Sequence, residues 1–143
     1  MKAERPDEAV GDDGRRTGVY RSCIWASASN KASQVVVNSY DITAVRMEVE
    51  GRTFVMMSVY IPTVSEGRAA MEERVKAIEE AMARQRMVNP AVEFIVGGDF
   101  NRHDALWGGN HVADTTRQGE GERIIQLMLE NDLRSLLPQG TVT

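Results

Sequence analysis

The stretch Phe94-Ile95-Val96-Gly97-Gly98-Asp99-Phe100-Asn101-Arg102-His103-Asp104 decides how this chain is read. Its apolar lead reads as the end of a buried strand, followed by two glycines and then by an Asp and an Asn two positions apart. Residues i and i+2 of a strand point to the same side. With strand geometry continued, Asp99 and Asn101 project together and Phe100 turns the other way, into the core. A carboxylate beside a carboxamide suits a hard cation, a phosphate oxygen or an attacking water. The same letters also mark turns, because Asp and Asn bond their own backbone. An EF-hand loop is excluded: counted from Asp99, its sixth position is Asp104, where glycine is required.

Upstream of the motif the pattern is α/β. Tyr20 to Ala26 reads as a strand and Ser27–Ser33 as a small, polar loop. Ile42 to Glu50 alternates, with Val45, Met47 and Val49 facing one way and Arg46, Glu48 and Glu50 the other. Glu50-Gly51-Arg52 is a turn in which glycine can take a positive φ. Thr53 to Ile61 is nearly continuous apolar, as expected of a strand buried on both faces, and Pro62 stops it. Residues 66–87 form the clearest helix, where Met71, Val75, Ile78 and Met82 make one apolar stripe. Core packing explains those methionines better than a partner surface does. Glu72 with Lys76, and Glu80 with Arg84, make favourable i,i+4 pairs on the wet side. Asn89-Pro90 ends the helix, and Ala91–Val96 is the strand that delivers the motif.

Downstream, residues 98–118 read as one long loop, and a second helix runs from about Gly119 to Glu130 with Ile124, Ile125, Met128 and Leu129 on its apolar face. Thr115 with Gln118 is placed to cap it. Residues 1–18 are polar and without apolar periodicity, which predicts a disordered leader ahead of a single domain at 19–143.

The motif and its surroundings carry a resemblance. Gly97-Gly98-Asp99-Phe100-Asn101 after an apolar strand resembles the Gly-Asp-Phe-Asn motif of the endonuclease/exonuclease/phosphatase superfamily. The continuation Arg102-His103-Asp104-Ala105-Leu106-Trp107-Gly108-Gly109 is similar to the version in endonuclease domains of non-LTR (LINE-type) retrotransposons. Ser58-Val59-Tyr60-Ile61-Pro62 is similar to the strand that ends in Tyr-x-Pro. Asn131-Asp132-Leu133 through Leu136-Leu137-Pro138-Gln139-Gly140-Thr141 resembles the segment ahead of the next strands. The match keeps the family's order over roughly residues 20 to 143.

The resemblance implies a part of a four-layer αββα sandwich with mixed β-sheets. It implies hydrolysis of phosphodiesters with Mg²⁺, or Mn²⁺ in its place, and nicking of target DNA beside a reverse transcriptase in the same polyprotein. Carried over residue by residue, Asp99 handles the nucleophilic water or a metal-bound water, and Asn101 holds a phosphate oxygen near the metal. Asp99 and Asn101 are thereby the expected metal-side residues, and Tyr60 sets its hydroxyl against the scissile phosphate. Arg102 and His103 are candidate phosphate contacts, and Arg102, Arg117 and Arg123 a candidate basic rim. The family's working histidine lies in a later Ser-Asp-His motif, so no such role passes to His103 or His111. Trp107 reads as a loop anchor before it reads as a base-stacking platform.

Two of the family's segments have no counterpart here: the early Asn and Glu, and the late Ser-Asp-His. One carboxylate plus one amide is a poor site for Mg²⁺. The expectation is a fragment holding the middle of the domain, from a truncated element-derived reading frame or a partial gene, weakly active or inactive. A dead retroelement remnant and a phosphatase-type relative are the competing readings.

The bulk figures are compatible with this. The 143 residues fit one domain, and 42% hydrophobic with 27% charged is ordinary for a globular chain. A net charge of −4 does not advertise a nucleic-acid binder, but a nuclease needs only a local basic rim. No run reaches the ~18 apolar residues of a membrane span, and no apolar stretch follows the N-terminal charges as a secretory signal would. Cys23 reads as a buried structural thiol in a reducing compartment. The expected location is intracellular, nucleus or cytoplasm.

Overall fold

The structure, a computed structural model, describes residues 21–27, 31–112 and 119–140, apart from the side chains of Asn110 and His111. The predicted leader, Tyr20, Thr115, Arg117 and Gln118 lie outside the described residues.

Four strands form one sheet in the order β1 (Ala32–Val35), β2 (Ile42–Val49), β3 (Arg52–Tyr60) and β4 (Glu93–Asp99). The first three pair antiparallel, and β4 joins β3 in parallel. The β2–β3 hairpin closes through Glu50 and Gly51, both at positive φ (51° and 77°). Two consecutive left-handed residues match the twist of the flanking strands. A parallel neighbour needs a crossover, and helix α1 (Arg68–Val88) supplies it. Asn89 then turns the chain: its Oδ1 accepts from the Ala91 N–H and its Nδ2 donates to Thr53 Oγ1.

The core lies between one face of the sheet and the helices. Val55, Met57, Val59 and Ile61 on and just past β3 meet Met71, Val75, Ile78 and Met82 of α1, and all are buried. Ile124 and Leu127 of α3 (Glu122–Glu130) join the same cluster. The methionine stripe is therefore core, as its spacing predicted.

Several expectations change. Residues 21–27 make no ladder; they run beside β2, held by Thr43 Oγ1 on the Ser22 carbonyl and hydroxyl (3.1 and 3.0 Å). The supposed loop 27–33 gives way at Ala32 to β1, a short strand with little alternation to signal it. The long loop 98–118 contains α2 (Ala105–Gly108) and a 3-10 turn at Gly109–Val112. Met56 and Tyr60 of β3 are only half-buried, so the strand is fully covered on one side alone. Val45 and Met47 pair with Met56 and Phe54 on that second face, away from the helices, and Val49 is exposed. Cys23 is exposed rather than buried. Glu80 does approach Arg84 (4.0 Å), but Glu72 pairs with Arg123 and Arg68 rather than with Lys76.

Candidate functional site

The strands β3 and β4 run in parallel, so their C-terminal ends lie side by side, and Tyr60 is the register partner of Asp99. Alternation from the buried Val55, Met57 and Val59 puts both residues on the face away from α1. Just beyond the ladder, the Ile61 N–H donates to the Asp99 carbonyl at 2.8 Å and locks the two ends together. The strand ends are a rigid frame for side chains that leave it.

Gly98 makes the close approach possible. It has φ +145°, and a Cβ there would collide with the Val59 carbonyl. Gly97 has open space where its side chain would be.

The strand stops at Asp99, and Asn101 takes a left-handed conformation (φ 46°). The i, i+2 geometry of a continued strand is thus replaced by an Asx turn in which the Asn101 N–H donates to Asp99 Oδ1 at 3.0 Å. The turn itself ties Asp99 to Asn101. Phe100 packs against the core as expected. Asn101 Nδ2 donates to the Ile61 carbonyl at 3.0 Å, which fixes which end of the amide is nitrogen. One N–H of that amide and its Oδ1 are left for a ligand, a donor for a phosphate oxygen and an acceptor for water.

Arg102 goes inward. It is 7% exposed, and its Nη1 donates to the Pro62 and Asn101 carbonyls at 2.7 and 2.8 Å. Its Nε lies 3.2 Å from Met71 Sδ. Burial lowers its affinity for its proton, against the opposing pull of Glu120. It laces the ends of β3 and β4 together and is no rim cation. Arg123 is likewise engaged, by Glu72 and Glu79 at 3.0 and 2.7 Å. His103 is half-buried on the motif loop, and His111 falls in the 3-10 turn with its side chain outside the described residues. Trp107 anchors the loop: Nε1 donates to the Arg102 carbonyl at 3.1 Å, and its ring sits where a Cβ on Gly121 would be. Asp104 caps α2 by accepting from the Leu106 N–H.

Sequence reasoning missed Asp41 and Arg21. Asp41 precedes β2 and is 1% exposed; Arg21 and Arg74 converge on its carboxylate. Only pairing across the hairpin brings it to Tyr60.

Among the described residues no group of three or more His, Cys, Asp or Glu is placed to hold a metal. One carboxylate with one carboxamide is by itself a sparse site for Mg²⁺, which prefers near-octahedral, anionic oxygen and completes its shell with waters and substrate phosphate.

A family profile described as endonuclease-reverse transcriptase matches residues 54–143, the span that contains most of β3, all of α1 and the motif. The chain belongs to the endonuclease-reverse transcriptase family. Its fold is similar to that of the endonuclease domain of TRAS1, a telomere-specific non-LTR retrotransposon, with a TM-score of 0.55 at 16% identity. The likeness covers 80% of this chain and 47% of that one, so this family member spans about half of the solved domain. A comparison with curated proteins finds no match. Among the described residues no helix is long and apolar enough to cross a membrane.

Proposed function

We propose that the strand-end site of this family member serves phosphodiester cleavage in DNA, as the nicking step of a non-LTR retrotransposon. The observation that carries the reading is the register pairing of Tyr60 with Asp99 at adjacent parallel strand ends, with Asn101 tied to Asp99 by one hydrogen bond.

Asp99 keeps Oδ2 for a water while Oδ1 holds the turn, and a carboxylate so placed orients or deprotonates that water. The second N–H of Asn101 is suited to a non-bridging phosphate oxygen. Tyr60 offers a hydroxyl to the same phosphate. Mg²⁺ or Mn²⁺ would polarise the phosphoryl group and stabilise the leaving oxyanion. Asp99 and Asn101 would supply only part of its shell. DNA is the proposed partner, with a reverse transcriptase in the same polyprotein and an intracellular setting, nuclear or cytoplasmic.

The same shortage of ligands favours one second reading, a remnant of the element that folds but does not cut. Nicking of supercoiled plasmid by the purified chain separates the two. Weak nicking, abolished by EDTA and reduced on the order of a hundredfold or more by Asp99→Ala, is the expected sign of a working site. Nicking that ignores both changes would remove Asp99 from the chemistry. Folded protein that never nicks supports the remnant.

A further inference from the structure

Asp41 belongs to neither β3 nor the motif, yet it grips Tyr60 from two directions. Its carbonyl accepts the Tyr60 N–H at 2.8 Å, one step beyond the Ile42–Val59 pair of the hairpin. Its carboxylate takes Nε and Nη2 of Arg21 at 2.7 and 2.8 Å. The Cζ of that same Arg21 lies 4.4 Å from the centroid of the Tyr60 ring. Arg74 of α1 also reaches Asp41, its Nε 2.9 Å from the Oδ2 that Arg21 Nη2 shares.

Two parallel bonds to a carboxylate leave a planar guanidinium one orientation. The plane so fixed lies against the Tyr60 ring and limits the rotamers open to it. Asp41 and Arg74 would join α1 to the hairpin without Arg21. Glu66 alone could balance an arginine at the surface, and it is the weaker partner of Arg21, at 3.3 Å. Neither purpose needs an arginine stacked on this tyrosine.

We infer that Arg21, held by Asp41, is a positioning residue for Tyr60: it fixes the ring so that the hydroxyl is presented at the strand-end site. The inference rests on the reading of Tyr60 as part of the phosphodiester site. Lysine in place of Arg21 keeps the charge and loses the plane, so the guanidinium itself is required.

Fluorine NMR of the chain labelled with fluorotyrosine tests the contact directly, with the Tyr60 signal assigned through Tyr60→Phe. Arg21→Met and Arg21→Lys are both expected to move that signal toward free fluorotyrosine. A Tyr60 signal unmoved in either folded variant overturns the inference; should Arg21→Met fail to fold, Arg21→Lys decides. Plasmid nicking tests the function. Arg21→Met and Tyr60→Phe are each expected to slow it about tenfold or more, and the double variant no further than the slower single one, because the two act as a unit. Losses that multiply in the double variant would overturn positioning through Tyr60. Nicking unaffected by Tyr60→Phe would overturn the site reading and with it the purpose of the contact, whatever the NMR shows.

Discussion

Gly97 and Gly98 stand side by side in β4 under unequal constraints. A side chain on Gly98 has neither an allowed φ nor space beside the Val59 backbone, whereas Gly97 has open space. Gly98→Ala is therefore expected to cost about 2 kcal/mol or more, and Gly97→Ala less than about 1 kcal/mol, in urea unfolding. Arg102 makes a second residue-level case. Its guanidinium answers the Pro62 and Asn101 carbonyls in the interior. Arg102→Met should cost about 1–3 kcal/mol, because one buried and one partly buried acceptor lose their donor. If Arg102 touched DNA phosphate, its removal would flatten the salt dependence of DNA binding by about one unit of slope. Its buried position predicts an unchanged slope, measured by binding titrations over a range of salt.

At the scale of elements, α1 is tied to the sheet by its apolar stripe and by the Asp41 clamp. Burial pushes the Asp41 carboxyl up, but the hydrogen bonds from Arg21 and Arg74 outweigh it and leave the group below its ordinary value of 3.8. A carboxylate whose folded value is depressed adds stability that is fully present above its unfolded value. That contribution is lost as the pH falls below about 4, through the folded value. Denaturation followed from pH 6 to pH 2 (about the acid range of carboxylates) should show this loss. Asp41→Asn should be less stable at neutral pH, since two arginines lose their anion, and should show a smaller acid loss. The clamp also explains why Arg21 holds its proton more tightly than an ordinary arginine: the bond to Asp41 outweighs the cost of burial.

For the molecule as a whole, the asymmetry of the sheet is the governing feature. One face carries a packed core shared with α1 and α3; on the other, Tyr60 and Met56 are half-buried and Ile95 is 38% exposed. Met56 and Met57 are consecutive and point to opposite faces, which makes them an internal control. Met57→Ala is expected to cost about 2–5 kcal/mol as a large-to-small change in a closed core. Met56→Ala should cost less than half of that, by chemical denaturation, because its site is already partly solvated. Equal losses would mean that the second face is as fully covered as the first.

The sequence by itself determined what local pattern can carry. The stripe at Met71, Val75, Ile78 and Met82 places α1, Glu50-Gly51 closes the hairpin, and the run through Asp99 and Asn101 marks the strand end and its family. Each of these is fixed by spacing or backbone preference within a few residues. Only the tertiary structure decided which face of the sheet the helices cover: β3 is apolar on both sides, and the alternation of β2 marks the face of Val45 and Met47, whereas the helices cover the face of Ile42 and Ala44. It also turned Arg102 inward, since carbonyls waiting for a donor at Pro62 and Asn101 leave no mark in the letters. It brought Asp41 and Arg21 to Tyr60 through hairpin register, a contact between residues about twenty and forty positions apart that arises from long-range pairing and burial.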